Sequence, residues 1–212
     1  MESTPQPDFF DRAYAEGDPP WVIGEPQPAV VALADRGELT GRILEPGCGT
    51  GEHTVHLTRL GLDVLGTDAS PTAIARARDR ARDHGVAARF AVTDALDPGD
   101  LGRFDTVLDS ALFHVFDPGD QARYARGLAG LVRSGGVVHL LALARTGAAA
   151  EFGPVIDAAA IRAAFTGPVW TVEEIASTTY RGIVTTDLAD AYGQPPGTVV
   201  DVPAHLARIV RT

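Results

Sequence analysis

Short apolar runs alternate with stretches of helical spacing along this chain. Residues 42–45, 62–66, 88–92 and 104–108 each concentrate apolar side chains and predict strands. Between the first two, Val55, Leu57 and Leu60 predict a helix over 52–60 with those residues toward the core, stopped by Gly61. Ser70 is suited to cap a second helix and Pro71 to be its first residue. Ile74, Ala77 and Ala81 then repeat on one face, with Arg76, Asp79, Arg80 and Arg82 outside. Asp117-Pro118 opens a third helix with the stripe Tyr124, Leu128, Leu131 and Val132, which Gly135-Gly136 is expected to close. The unbroken run 137–144 predicts a central strand covered on both faces. Beyond it, 156–165 reads as helix and 169–177 and 204–210 as strands. The stretch 187–202, with Gln194-Pro195-Pro196-Gly197, reads partly as loop.

Strands alternating with helices predict βαβ units, hence an α/β fold with a mostly parallel, doubly wound sheet and helices on both faces. Ligands bind such sheets at the carboxyl ends of the strands. That singles out 45–51, Asp68, Asp94 and 109–116. Residues 1–40 carry Phe9, Phe10, Tyr14 and Trp21, too apolar for a tail, and predict a helical cap over a domain formed by 41–212.

Composition narrows the chemistry. The 212 residues are 45% hydrophobic and 22% charged, as in globular proteins. A net charge of −10 disfavours binding to nucleic acid or anionic membranes. All 18 basic residues are arginine, so Schiff-base, P-loop and general-base roles of lysine are excluded. Cys48 is the single cysteine, which excludes an intrachain disulfide and a cysteine metal cluster. The first eight residues lack a basic stretch followed by an apolar run, so no secretory leader is expected there. The run 137–144 falls far short of the roughly 20 residues that span a bilayer. A cytoplasmic location is the expectation.

Gly47, Gly49 and Gly51 follow the first strand. A turn there must be tight and let a ligand approach the backbone, and the next helix presents free N–H groups. Asp68 ends the second strand, where a carboxylate accepts hydrogen bonds from ribose hydroxyls. Asp94 ends the third and can accept from an adenine amino group or cap the following turn. Proteins that bind NAD and proteins that bind S-adenosylmethionine share this arrangement.

The segments Leu44-Glu45-Pro46-Gly47-Cys48-Gly49-Thr50-Gly51-Glu52, Leu65-Gly66-Thr67-Asp68-Ala69-Ser70-Pro71, Val92-Thr93-Asp94-Ala95, Phe104-Asp105-Thr106-Val107-Leu108-Asp109 and Ser134-Gly135-Gly136 resemble, in order and spacing, the motifs of class I S-adenosylmethionine-dependent methyltransferases. Pro46 departs from their usual small residue and removes one backbone donor. A narrower likeness, carried by Trp21-Val22-Ile23-Gly24-Glu25-Pro26-Gln27-Pro28 and Ser110-Ala111-Leu112-Phe113-His114-Val115-Phe116, is to the bacterial small-molecule branch near the thiopurine methyltransferases. That branch more usually has Asp where Val22 stands, and differs over 142–147.

The resemblance implies a single Rossmann-like sheet with one antiparallel strand near the C-terminus, S-adenosylmethionine as cofactor, and a small aromatic or heterocyclic acceptor. On it, Trp21, Glu45, Gly47, Cys48, Gly49, Gly51, Asp68, Ala69, Asp94, Ala95, Asp109 and Phe113 are expected at the cofactor. Phe10, Tyr14, His114, Tyr180 and Arg181 are expected at the acceptor, with His114 either a general base or pocket wall. Cys48 reads as a small residue tolerated in a tight turn. No metal is expected: His53 and His56 are spaced to chelate but have no evident third ligand. The alternatives are an NAD-dependent oxidoreductase, which lacks its usual Gly-x-Gly-x-x-Gly and lysine here, and a non-catalytic adenosylmethionine-binding protein.

Overall fold

Strands β1 (Arg42–Pro46), β2 (Asp63–Asp68), β3 (Arg89–Val92), β4 (Phe104–Ser110), β5 (Val132–Leu143), β6 (Trp170–Ile183) and β7 (Val199–Arg211) form one sheet in the order β3-β2-β1-β4-β5-β7-β6. β1 to β5 pair in parallel, whereas β7 runs antiparallel to both β5 and β6. The expected single reversed strand is therefore β7. The computed structural model describes residues 4–212, so the first three residues of the expected 1–40 cap lie outside the described residues.

The helices are α1 (Pro7–Glu16), α2 (Pro28–Asp35), α3 (Glu52–Arg59), α4 (Pro71–Asp83), α5 (Pro118–Leu131), α6 (Ala158–Ala164) and α7 (Ala189–Tyr192). Successive strand residues point to opposite faces. Leu44 and Val107 accordingly pack with Tyr124, Leu128 and Ile161 of α5 and α6. Their neighbours Ile43 and Leu108 pack with Val30 and Leu33 of α2 and Leu57 of α3. Two cores thus sandwich the sheet, and the strand ends between them are held rigidly.

Helix α4 forms as its sequence predicts. Ser70 caps it by accepting from Ala73 N at 2.9 Å, and Ile74, Ala77 and Ala81 are buried. Leu60 does not join the core; it is 55% exposed. α3 stops at Arg59, and Gly61 adopts φ +83 while Gly61 N and Leu62 N bond back to Thr58 O and Leu57 O. In this C-terminal motif the residue after the glycine makes the apolar contact, so Leu62 packs where Leu60 was expected.

Other bounds also differ. α5 ends at Leu131, because Val132 turns to extended backbone and pairs with Phe104; the next pair is Thr106 with Val137. Ser134-Gly135-Gly136 therefore forms a bulge inside β5 rather than a helix stop. β6 runs on to Ile183 and β7 begins at Val199, so the two make a long hairpin that absorbs part of the expected loop. Tyr180 and Arg181 consequently lie within β6, not beyond it. The helix expected over 156–165 is reduced to Ala158–Ala164.

Candidate active site

The turn after β1 and the end of β2 are joined by hydrogen bonds. Cys48 N donates to Thr67 O at 2.8 Å, and Gly49 N donates to Asp68 Oδ2 at 2.9 Å. Ser70 N donates to Asp68 Oδ1, also at 2.9 Å. A carboxylate has about four lone-pair sites, so each oxygen keeps one for an incoming hydroxyl. Burial raises the Asp68 pKa, opposed by the Ser70 and Gly49 amides.

A cavity of about 1000 Å³ opens over these strand ends. Gly47, Cys48, Gly49, Asp68 and Ala69 form its floor on one side, continued by Asp94 and Ala95. Asp94 spends one oxygen on Leu96 N at 2.8 Å, the capping role, while remaining in the cavity wall. The cysteine thiol is buried and its pKa is pushed up by that burial, reinforced by the nearby Glu45 and Asp68 carboxylates. It is thereby kept as an unreactive thiol.

The roof is α1 and the segment after it. Asp11 accepts from Ser70 Oγ at 2.6 Å and from Thr72 N at 3.0 Å, which docks α1 on the first turn of α4. Those bonds lower the Asp11 pKa, Ser70 foremost. Arg76 donates to the carbonyls of Tyr14 and Gly17 and pairs with Asp18. Trp21 Nε1 donates to the Tyr14 hydroxyl at 2.9 Å, with the two rings edge to face. That hydroxyl lies 2.8 Å from where a Cβ on Gly49 would stand, and Gly49 has φ +52. Any side chain there would push the roof off the floor. Phe10 and Trp21 also line the cavity, and Phe10 stacks edge-on against Trp21.

The far end is lined by Leu143, Phe152, Gly153, Pro154, Tyr180 and His114. His114 sits in a short 3-10 turn, Phe113–Val115, and is buried. Its Nδ1 accepts the backbone N–H of Leu143 at 3.1 Å. Burial lowers its pKa to about 4. Ala111, also in the wall, is the non-glycine residue with positive φ (+68) among the described residues. Such strain collects at functional sites. It directs the chain from β4 into the turn that carries His114, with Ala111 N held by Leu141 O at 2.8 Å.

Five expected site residues are not in the cavity wall. Glu45 is buried behind the glycine turn, accepting from His53 Nδ1 at 2.8 Å and from Thr54 Oγ1. Gly51 faces α4 and β3: an added Cβ would lie 2.8 Å from Ala77 Cβ and 3.0 Å from the Phe90 ring. It permits close helix packing rather than ligand contact. Asp109 is fully buried, with one oxygen accepting from Leu112 N and Phe113 N and the other from Tyr124 OH at 2.8 Å. Burial raises its pKa to about 6 against those three donors. It shapes the turn from behind. Phe113 is fully buried against Tyr124 and Phe165. Arg181 turns outward to Asp201 and Glu25. Its backbone N–H and carbonyl are both engaged, at 2.8 Å, by the buried side-chain amide of Gln27.

Several wall residues were not expected. Thr50 and Glu52 follow from their place in the glycine motif; Glu52 is held by Arg80 Nη2 at 2.7 Å and by Thr50 Oγ1. Phe152 and Pro154 carry no local signal. They are brought in because Ala144 and Ile156 bridge in parallel, folding the intervening segment back over β5. Among the described residues, no three His, Cys, Asp or Glu side chains gather as a metal ion needs. No helix of the described chain is long and apolar enough to cross a membrane.

The residues fit S-adenosylmethionine. Asp68 retains two acceptor sites beside bare backbone at Gly49, and the aromatic roof suits a sulfonium. Comparison with known proteins agrees. Residues 43–136 match the family described as Methyltransferase domain. The 2-heptyl-1-hydroxyquinolin-4(1H)-one methyltransferase of Mycobacteroides abscessus is 37% identical over 116 residues, 50% of this chain. The chain spans only about half of that relative's length, 51%. An uncharacterized methyltransferase of Schizosaccharomyces pombe is 30% identical over 54% of this chain and 79% of its own. A solved structure from work on the conversion of a disulfide bond into a thioacetal group during echinomycin biosynthesis is 38% identical, with a TM-score of 0.85 over 96% of this chain and 92% of that one.

Proposed function

Because the chain belongs to the class I S-adenosylmethionine-dependent methyltransferases, we propose that it transfers a methyl group from S-adenosylmethionine to a small, largely apolar aromatic or heterocyclic molecule, in the cytoplasm. The observation that carries this reading is a single cavity with two unlike ends. One end presents the Asp68 carboxylate and open backbone at 47–49, suited to an adenosyl group. The other is walled by Phe152, Pro154, Leu143 and Tyr180, with no charged side chain among them. At about 1000 Å³ the cavity stands at the upper limit of ordinary ligand pockets, enough for two partners side by side. The name of one relative, a hydroxyquinolinone methyltransferase, supports an acceptor of this kind, and the work on disulfide-to-thioacetal conversion supports a sulfur acceptor.

Bound S-adenosylmethionine supplies a methyl group made electrophilic by its sulfonium. The chain's part is to hold and enclose. Asp68 and, near the adenine, Asp94 orient the nucleoside; α1, Tyr14 and Trp21 close the roof and keep water out. Positioning of this sort can account for most of the rate. Residues 4–24, anchored through Asp11 and Arg76, act as the lid of the 41–212 domain. Calorimetry tests the cofactor: S-adenosylhomocysteine should bind and NAD should not. Transfer of a labelled methyl group to hydroxyquinolinones or aromatic thiols tests catalysis; binding without any transfer would leave only an adenosylmethionine-binding role.

A further inference from the structure

The acceptor end of the cavity holds an imidazole whose protonation the backbone dictates. The N–H of Leu143 donates to His114 Nδ1 at 3.1 Å, so Nδ1 offers its lone pair and carries no proton. In a neutral imidazole the proton then resides on Nε2, which is a donor. His114 lines the cavity, and its Nε2, which is not among the buried unpaired polar atoms of the described residues, is the open edge. A group that already holds its proton at the open edge, and whose other nitrogen is occupied, has no lone pair with which to take a proton from a substrate.

Nothing nearby would charge the ring. The turn of His114 packs on β5 and α5. β5 presents the Leu143 backbone there. α5 presents Tyr124, bonded to Asp109 of β4, and Asp120 and Arg123, which belong to the cavity wall beside Phe116. Across the cavity stand Tyr180 of β6 and Tyr14 of α1, both phenols whose pKa burial pushes up. Burial alone shifts His114 itself, downward. Glu52, whose charge reaches Tyr180, is tied to Arg80 and Thr50. His53, also in the wall, has both nitrogens engaged, Nδ1 with Glu45 and Nε2 with the Gln27 N–H, so among the described residues neither imidazole of the wall has a nitrogen lone pair free to take a proton.

We propose that His114 donates a hydrogen bond from Nε2 to an anionic acceptor atom, so that the substrate is an acidic thiol, N-hydroxyl or phenol that enters with its proton already lost to solvent. This rests on the methyltransferase reading above. The acceptor's lone pair forms the new bond to the methyl carbon as the carbon–sulfur bond breaks, with that bond's electron pair left on sulfur. No side chain receives a proton. Alcohols, which ionise only at high pH, fall outside the substrate class, and His114 sets that boundary.

Two measurements test this, and calorimetry with S-adenosylhomocysteine on the same sample reads the methyltransferase assignment separately. First, nitrogen NMR of the histidine-labelled protein, with His114→Gln identifying the resonance, should show the Nε2–H neutral tautomer unchanged from pH 8 to about pH 5. A proton on Nδ1, or a titration midpoint above pH 6, would overturn the proposal even if cofactor binds. Second, with S-adenosylmethionine and para-substituted thiophenols of graded acidity, the acid limb of kcat/KM should move with each thiophenol's own pKa. His114→Leu should lose about tenfold or more in kcat/KM without moving that limb, and His114→Gln, which keeps a donor, should recover part of it. A limb fixed near pH 6.5 for every thiophenol, and absent from His114→Gln, would make His114 a base.

Discussion

Replacing Asp68 with asparagine separates the two jobs of that side chain. In the wild type, Oδ2 accepts from Gly49 N and Oδ1 from Ser70 N, each at 2.9 Å. Asparagine offers one oxygen and an NH₂ group, so one of the two backbone donors loses its acceptor. A buried donor left unpaired costs about 1–3 kcal/mol of stability. The ribose hydroxyls lose the charge and one acceptor, and hydrogen bonds to charged groups contribute about 1.5–3 kcal/mol. Affinity for S-adenosylhomocysteine should therefore fall roughly 10- to 150-fold. Calorimetry reads the affinity and urea unfolding of the free protein reads the stability. Because burial raises the Asp68 pKa, wild-type affinity should also weaken as pH falls through it, and the variant should lack that dependence. Affinity within about twofold of wild type would refute a carboxylate seated on the ribose.

Asp109 should give an unusual pH signature. The native state keeps its proton up to about pH 6, whereas the unfolded chain releases it near 3.8, so its contribution to stability declines as pH rises between those values. The decline is on the order of 3 kcal/mol, and the stability difference between wild type and Asp109→Asn should be larger at pH 4.5 than at pH 7.5 in urea titrations. Gly51→Ala must adopt φ +81 with Ala77 and Phe90 in the way, and should cost about 2–4 kcal/mol in the same assay. Asp11→Ala should speed hydrogen exchange and proteolysis of α1 and hasten release of S-adenosylhomocysteine while leaving the urea midpoint in place, since it cuts only the bonds to Ser70 and Thr72.

The parts of the site that the sequence exposes are those whose function constrains the backbone locally. A glycine turn and an acidic strand end show themselves in a few residues, and Gly47, Gly49, Asp68 and Ala69 duly share one wall. Motif membership does not distinguish the front of a turn from its back. Glu45, Gly51, Asp109 and Phe113 belong to the same short segments but face away from the cavity, each engaged by the elements packed behind the turns. Strand ends written by distant partners were illegible. β6 reaches Ile183 under the grip of Gln27 on Arg181, more than a hundred residues away, and Ile183 N bonds to Pro20 O. The acceptor wall at 152–154 likewise depends on the bridge between Ala144 and Ile156.

The first turn of α4 leaves nothing for a phosphate to hold. Pro71 has no N–H, Thr72 N already points at the Asp11 carboxylate, and Ala73 N at Ser70 Oγ. A helix beginning in this position could otherwise draw in the phosphorylated nucleotides that crowd a cell. NADPH, with its extra phosphate on the ribose, would meet a fixed negative charge instead. On the proposed reading, the lid would act as a filter even while shut, turning away phosphorylated look-alikes of its guest by charge before shape is consulted.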